Sequence, residues 1–392
     1  MCDPLNLASL PDTDYCGEDF GYPSKATLGF MTASYSLGCI LALPFIPMAN
    51  DSRGRKFSIS LGSVVMIVGA AIQCAAQNCK SLLTDMCFSG KEANQSPSPV
   101  AMFVIARMIL GFGVPFAVVA ASTLIGELSH PKERPVITSL FNSSWFVGST
   151  IAAGITYCTF EMESTWAWRI PSILQAVPSI LQLIFIHAIP ESPRYLVSKN
   201  RKEEAREILF KYHGEGDEDS KLAAAEFAQI KVTIEMELLG KKASWQEYFI
   251  TPGNRRRALL ALCIGVFPQW SGNNLLSFYL KKVLEQVGIK DGKLQNQINL
   301  GVSCWALING TCIALVIPRF RRRTVYLTCI TGIFLLYIAL TVNSAKYAGA
   351  GTNAAGIATI AIIFCYSPFY NMGFNALTYS ISCSLPQSLR KY

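Results

Sequence analysis

Charge is the scarce commodity in this 392-residue chain. Asp, Glu, Lys and Arg make up 15% of it, where a soluble domain carries roughly 25%. Histidine occurs three times (His130, His187, His213), with no triad context or nucleophile-elbow motif around it, so catalysis by a nucleophile and base is not expected. There is no CxxC pair among the 13 cysteines; most stand singly in apolar segments, which excludes a cysteine metal centre and a dense disulfide framework. Only Cys2, Cys16, Cys79 and Cys87 lie in polar surroundings where a disulfide is conceivable. The opening residues lack both a basic stretch and an apolar core, so no cleavable signal peptide is expected.

What the chain does have is apolar length. Hydrophobic residues account for 51% and the mean hydropathy is +0.33. About twenty apolar residues cross a bilayer as a helix. Nine stretches qualify: Thr27–Met48, Phe57–Ala76, Val100–Ile125, Ile137–Phe160, Pro171–Ile189, Ala258–Leu280, Ile298–Ile317, Val325–Val342 and Ala354–Tyr379. The expected fold class is an all-α polytopic membrane protein, with the lipid bilayer as its partner.

The net charge of +8 sits in short clusters beside these spans. That is the positive-inside pattern, not a nucleic-acid-binding face. Basic segments (Asp51–Lys56, Ser129–Pro135, Arg194–Arg257, Arg319–Arg323 and the terminal Arg390-Lys391-Tyr392) alternate with poorly basic ones, and the basic set is expected to be cytoplasmic. Nine spans then leave the amino terminus outside, a parity expected of an incomplete chain. Within Arg194–Arg257, two stretches have helical periodicity with Glu/Lys pairs three and four apart. The acidic "GEGDEDS" between them lacks the alternating ligands of an EF-hand and reads as a solvated turn.

The halves echo each other. "DSRGRK" follows the first span and "PRFRRR" the seventh; Glu127 stands seven residues before Arg134, and Cys383 seven before Arg390. Duplicated halves are a common plan of membrane transporters, with the substrate site near the midplane. The expected divisions are an outer amino-terminal segment (1–26), an amino-terminal half-bundle (27–190), a cytoplasmic helical linker (191–256) and an incomplete carboxyl-terminal half-bundle (257–392).

Five motifs in order, "DSRGRK", "RMILGFG", "GELSHPKER", "PESPRYL" and "PQWSGNN", resemble those of the sugar porter family of the major facilitator superfamily. "WAWRIPSILQ", "KYHGEGD" and "FNALTYS" look like its fungal lactose-permease-like and hexose transporters. The resemblance implies two helical half-bundles of twelve helices in all. By motif order about nine are expected here, with the first and last two expected to be absent, and the chain alone is expected to be inactive. It implies a multi-pass protein of the plasma membrane, a monomer, moving a hexose or disaccharide by alternating access without a cofactor. Proton coupling remains open. The alternatives are a sugar sensor that does not transport, or an inactive truncated product.

The implied sugar contacts lie in "PQWSGNN" and its surroundings: Gln269, Trp270, Asn273, Asn274 and Tyr279, with Asn142 and Asn375 from other spans. Amides carry donor and acceptor on one planar head and match sugar hydroxyls; Trp270 offers a flat face to a pyranose. Pro268 stands where the family usually has a further glutamine. Gln269 and Asn274 are five apart, about 140° around a helix, so the helix is expected to bend near Gly272. The implied gate and motif residues are Asp51, Gly54, Arg55, Lys56, Arg107, Glu127, Arg134, Glu191, Arg194, Arg322, Arg323 and Arg390. Ion pairs among those at helix ends are expected to hold the inner mouth shut. Arg107 lies inside a span, where a charge normally has a partner. The polar stretch Cys79–Pro99 is expected to be an outside loop.

Overall fold

The structure is a computed structural model and describes residues 25–74, 99–160, 162, 166–214, 220–239, 252–273, 280, 283–285, 288–289, 291–316, 319–350 and 353–375. The described residues are helical with no strand among them. Among the described residues, six helices are long and apolar enough to span a bilayer: Arg55–Cys74, Ala101–Leu128, Ile170–Ala188, Gly292–Val316, Arg322–Lys346 and Ile357–Asn375. In lipid every backbone polar group needs an internal partner, and the helix supplies it.

Two compact units divide the chain. The first comprises Met1–Ala121 and Gly154–Glu191. It holds α1 (Lys25–Ala42), α2 (Phe45–Arg53), α3 (Arg55–Cys74), most of α4 (Pro99–Leu128), the end of α5 (Arg134–Thr159), α6 (Trp166–Leu174) and α7 (Ala176–Phe185). The expected span Thr27–Met48 is not one straight helix. It breaks at Leu43–Pro44, and the two pieces differ by 48°, as a proline without an N–H dictates. With the bent pair counted, the candidate spans among the described residues number seven.

Between spans the contacts are made backbone to backbone. A Cβ on Gly38 of α1 would lie 2.1 Å from the Met108 carbonyl of α4, and one on Gly111 of α4 would lie 2.1 Å from the Tyr35 carbonyl. Gly62 of α3 and Gly113 of α4 are related the same way at 2.7 Å. Small residues permit this approach where lipid offers no hydrophobic drive to pair helices. A polar link adds to it: Ser63 Oγ of α3 donates to Gln182 Oε1 of α7 at 3.0 Å.

The second unit comprises Ser122–Ala153 and Ser192–Tyr392. Three helices form its polar part: α8 (Pro193–Ser198), α9 (Lys202–His213) and α10 (Lys221–Leu239). They close on a small core of Leu196, Val197, Ala205, Leu209, Ile230 and Ile234. Its apolar helices include α11 (Pro252–Pro268), α12 (Gly292–Val316), α13 (Arg322–Ala350) and α14 (Asn353–Tyr370). Leu284, Cys329, Ile333 and Ile363 are buried in the main core here, and Phe369 and Tyr370 pack against it. Outward faces carry bare hydrophobics such as Leu262, Phe334 and Ile357, the surface that lipid requires. The acidic turn and the stretch from Cys79 to Ser98 lie outside the described residues apart from the flanking Gly214 and Ser220, as does any disulfide involving Cys2, Cys16, Cys79 or Cys87. The eight described cysteines are free thiols.

Candidate functional site

α11 ends at Pro268, and the chain continues into a wide π-type turn, Gln269–Asn273. The turn carries a true break: Gly272 has φ +85°, a conformation that costs a side-chain-bearing residue about 1 kcal/mol or more. The expected bend is therefore present, at the expected residue. Ser271 Oγ donates back to the Pro268 carbonyl at 2.7 Å, and Tyr337 of α13 donates its hydroxyl to the Gly272 carbonyl at 2.6 Å. Gln269 is exposed, Trp270 is 83% exposed, and Asn273 is half-buried. Asn274 and Tyr279 lie outside the described residues.

A second wide turn, Asn371–Asn375, ends α14. Here the chain brings two of the expected sugar contacts together. Asn142 Nδ2 of α5 donates to the Asn375 carbonyl at 2.6 Å and to the Asn375 side-chain oxygen. Asn375 is buried, and its own Nδ2 has no partner among the described residues. A buried donor left open costs about 1–3 kcal/mol. Beside it, Asn371 Nδ2 donates to Asn309 Oδ1 of α12, and Asn309 Nδ2 donates to Ser367 Oγ at 3.1 Å and to the Trp305 carbonyl at 2.6 Å. Ser143 reaches the Gly310 carbonyl at 3.2 Å. The result is a seam of amides and hydroxyls through α5, α12 and α14.

Reading the sequence missed Asn309, Asn371 and Tyr337. The two asparagines carried a usable signal, since an amide inside an apolar span must find a partner or a ligand. Tyr337 carried none, because one tyrosine in an aromatic span is unremarkable until its hydroxyl is located.

The motif residues at helix ends take partners of several kinds. Gly54 joins α2 to α3 at φ +97°. Glu191 accepts from the backbone N–H groups of Arg55 (3.2 Å) and Lys56 (3.3 Å), so its carboxylate caps the start of α3. Glu127 accepts from the Ser192 hydroxyl at 2.5 Å. Arg134 reaches Glu226 at 3.8 Å and the Ser129 carbonyl at 3.4 Å. Asp51, Arg322 and Arg323 are exposed and Arg194 is half-buried; Arg390 lies outside the described residues. Arg107 is 5% exposed; it donates to the Met31 carbonyl at 3.3 Å and lies 5.7 Å from the Phe103 ring centre.

One further polar cluster was not anticipated. His213, at the end of α9, is buried between two acceptors: Nδ1 faces Glu226 Oε2 of α10 at 2.5 Å, and Nε2 donates to the Leu128 carbonyl at the end of α4 at 2.9 Å. Both ring nitrogens face oxygen, an arrangement that favours the imidazolium form. The Glu226 hydrogen bond raises its pKa, with the Leu128 carbonyl adding to it; burial and the Arg134 cation oppose. The His130 ring stands edge-on, 5.7 Å between ring centres. No group of three or more His, Cys, Asp or Glu among the described residues is arranged to hold a metal.

The model of the family "sugar (and other) transporter" matches residues 8–392. A high-affinity glucose transporter of Kluyveromyces lactis is 28% identical over 343 residues, covering 85% of this chain and 56% of that protein. A galactose transporter of Saccharomyces cerevisiae is 28% identical over 282 residues, covering 72% and 45%. The chain thus spans about half the length of these two relatives. Among solved structures, the xylose transporter XylE from E. coli in a partially occluded inward-open conformation matches with a TM-score of 0.73 at 19% identity, over 97% of this chain and 81% of that one. XylE bound to 6-bromo-6-deoxy-D-glucose matches at 0.76 and 20%, over 97% and 78%. With a family match over nearly its whole length and a multi-pass helical architecture like that of a major facilitator transporter, the chain belongs to the sugar transporter family.

Proposed function

We propose that this protein binds a hexose or disaccharide and carries it across the plasma membrane by alternating access, as a monomer. The observation that carries the reading is the buried amide of Asn375, open on one side and held by Asn142 on the other. A sugar hydroxyl is both donor and acceptor, and so answers an amide array that no apolar cargo would satisfy. Gln269 and Asn273, with Asn274 following, add amides at the broken end of α11. No chemistry is done on the cargo; binding energy only biases one arrangement of the halves over another. Those halves are 27–190 and 257–392, joined by the cytoplasmic linker 191–256.

Proton coupling belongs to the same proposal. XylE is a proton:xylose symporter, and in this chain Arg107 is a cation inside a span, the kind of group through which a protonatable acid acts.

The test is equilibrium binding of labelled glucose, galactose, xylose and lactose to the purified chain, with uptake of the same panel in transporter-deficient yeast at two pH values. Saturable binding of one sugar, weakened about tenfold in Asn142→Ala, is expected. Binding without uptake would move the protein to the sensors, and no binding of any sugar would overturn the reading.

A further inference from the structure

The break at Gly272 must be held open by something. The carbonyl of Gly272, at φ +85°, leaves the regular helical ladder, so it needs a partner from outside its own helix. The donor that reaches it comes from a different helix: the Tyr337 hydroxyl of α13, at 2.6 Å. The ring does a second thing. A methyl group placed on Gly272 would lie 2.3 Å from the Tyr337 oxygen and 2.4 Å from the ring carbon bearing it. Tyr337 thus occupies the space that a regular, side-chain-bearing helix would need at position 272.

The ring also does not stand alone. Tyr337 meets Tyr366 edge-on (ring centres 5.8 Å apart, 82°), Tyr366 stacks on Tyr370 (5.8 Å, 22°), and Tyr370 meets Phe374 (5.7 Å). Phe374 precedes Asn375 in the second wide turn. An aromatic ladder therefore runs from the break that carries Gln269 and Asn273 to the turn that carries Asn375. Rings are stiff, and a shift at one end of a packed column moves the next.

We propose that Tyr337 is a positioning residue for sugar binding: its hydroxyl and ring hold the Gly272 break open, so that the amides of Gln269 and Asn273 face the cargo, and its stacking ties this break to the turn at 371–375. The inference rests on reading those amides as sugar contacts.

Two measurements on the full chain test it. The first needs no sugar. In Tyr337→Phe the ring stays and the hydroxyl is lost, so hydrogen exchange of peptides covering residues 265–273 should speed up several-fold while peptides of α9 and α10 do not change. Gly272→Ala, which pushes the ring away from the other side, should give the same pattern. The second is sugar affinity. Tyr337→Phe should weaken binding about fivefold, the worth of a typical hydrogen bond. In a Gln269→Ala background the same change should cost less than twofold, because a positioning residue has less to position there. Unchanged exchange, or an equal loss of affinity in both backgrounds, would overturn the proposal. If the wild-type chain binds no sugar, the functional reading fails while the exchange experiment still decides whether Tyr337 holds the break.

Discussion

Asn142 and Asn375 are 233 positions apart in sequence, and the amide of the first donates to both oxygens of the second. Truncating the donor, as in Asn142→Ala, leaves two buried acceptors short of a partner. Sugar affinity is expected to fall about tenfold. Asn142→Gln keeps an amide and should recover part of the loss. Equilibrium binding on purified protein checks both; wild-type affinity in Asn142→Ala would remove this pair from the site.

Glu191 predicts an effect on stability and none on cargo. Its carboxylate caps α3 at the backbone N–H groups of Arg55 and Lys56. Glu191→Ala should cost about 0.5–2 kcal/mol, and Glu191→Gln less, since an amide oxygen still accepts but the charge at the helix start is gone. The melting temperature in detergent reads the order of the three proteins. Equal melting temperatures would show that the cap is idle.

His213 predicts a pH dependence. Its pKa is raised in the folded chain by Glu226 and the Leu128 carbonyl. The stabilisation is therefore fully present below the ordinary imidazole value of 6.5 and is lost as pH rises through the raised one. Exchange protection of α9 and α10 should weaken across that alkaline limb. His213→Gln should flatten the dependence, and His130→Gln should leave it largely in place.

Gly38 and Gly29 give opposite signs on one helix. A methyl on Gly38 would collide with the Met108 carbonyl at 2.1 Å, whereas one on Gly29 meets nothing within 4 Å. Gly38→Ala should destabilise by about 1–3 kcal/mol through overpacking. Gly29→Ala should be neutral or stabilising by up to about 1 kcal/mol, the helix propensity gained. Thermal denaturation of the two variants side by side tests the α1–α4 contact.

Spans, linker helices and the bend at Gly272 could be read before any coordinates, because each follows from one-dimensional rules: apolar length, charge periodicity, and the roughly 140° that separates two amides five residues apart on a helix. The Pro44 break was equally visible in "LALPF" but was absorbed into a long apolar run. The partners could not be read. Motif order leads to an expectation of ion pairs at the helix ends; what the structure adds there is the backbone N–H groups of Arg55 and Lys56 at Glu191 and the Ser192 hydroxyl at Glu127. Motifs record which residues gather at a helix end and leave open which atoms touch. Asn309 and Tyr337 were missed for a related reason: a helix surrounded by lipid and other helices is apolar nearly all round, so its periodicity does not point to the face that meets a neighbour.

The two wide turns have a consequence for handling the protein. They place wide-turn backbone beside the amides expected to hold the cargo, so heat should loosen that region early. A ligand that bridges the turns would then act as a splint. At a concentration one hundred times its dissociation constant it adds about 2.7 kcal/mol to the folded state. Heat tolerance of the solubilised chain, scanned across a library of unlabelled sugars, thus becomes a way to learn the cargo before any transport is observed.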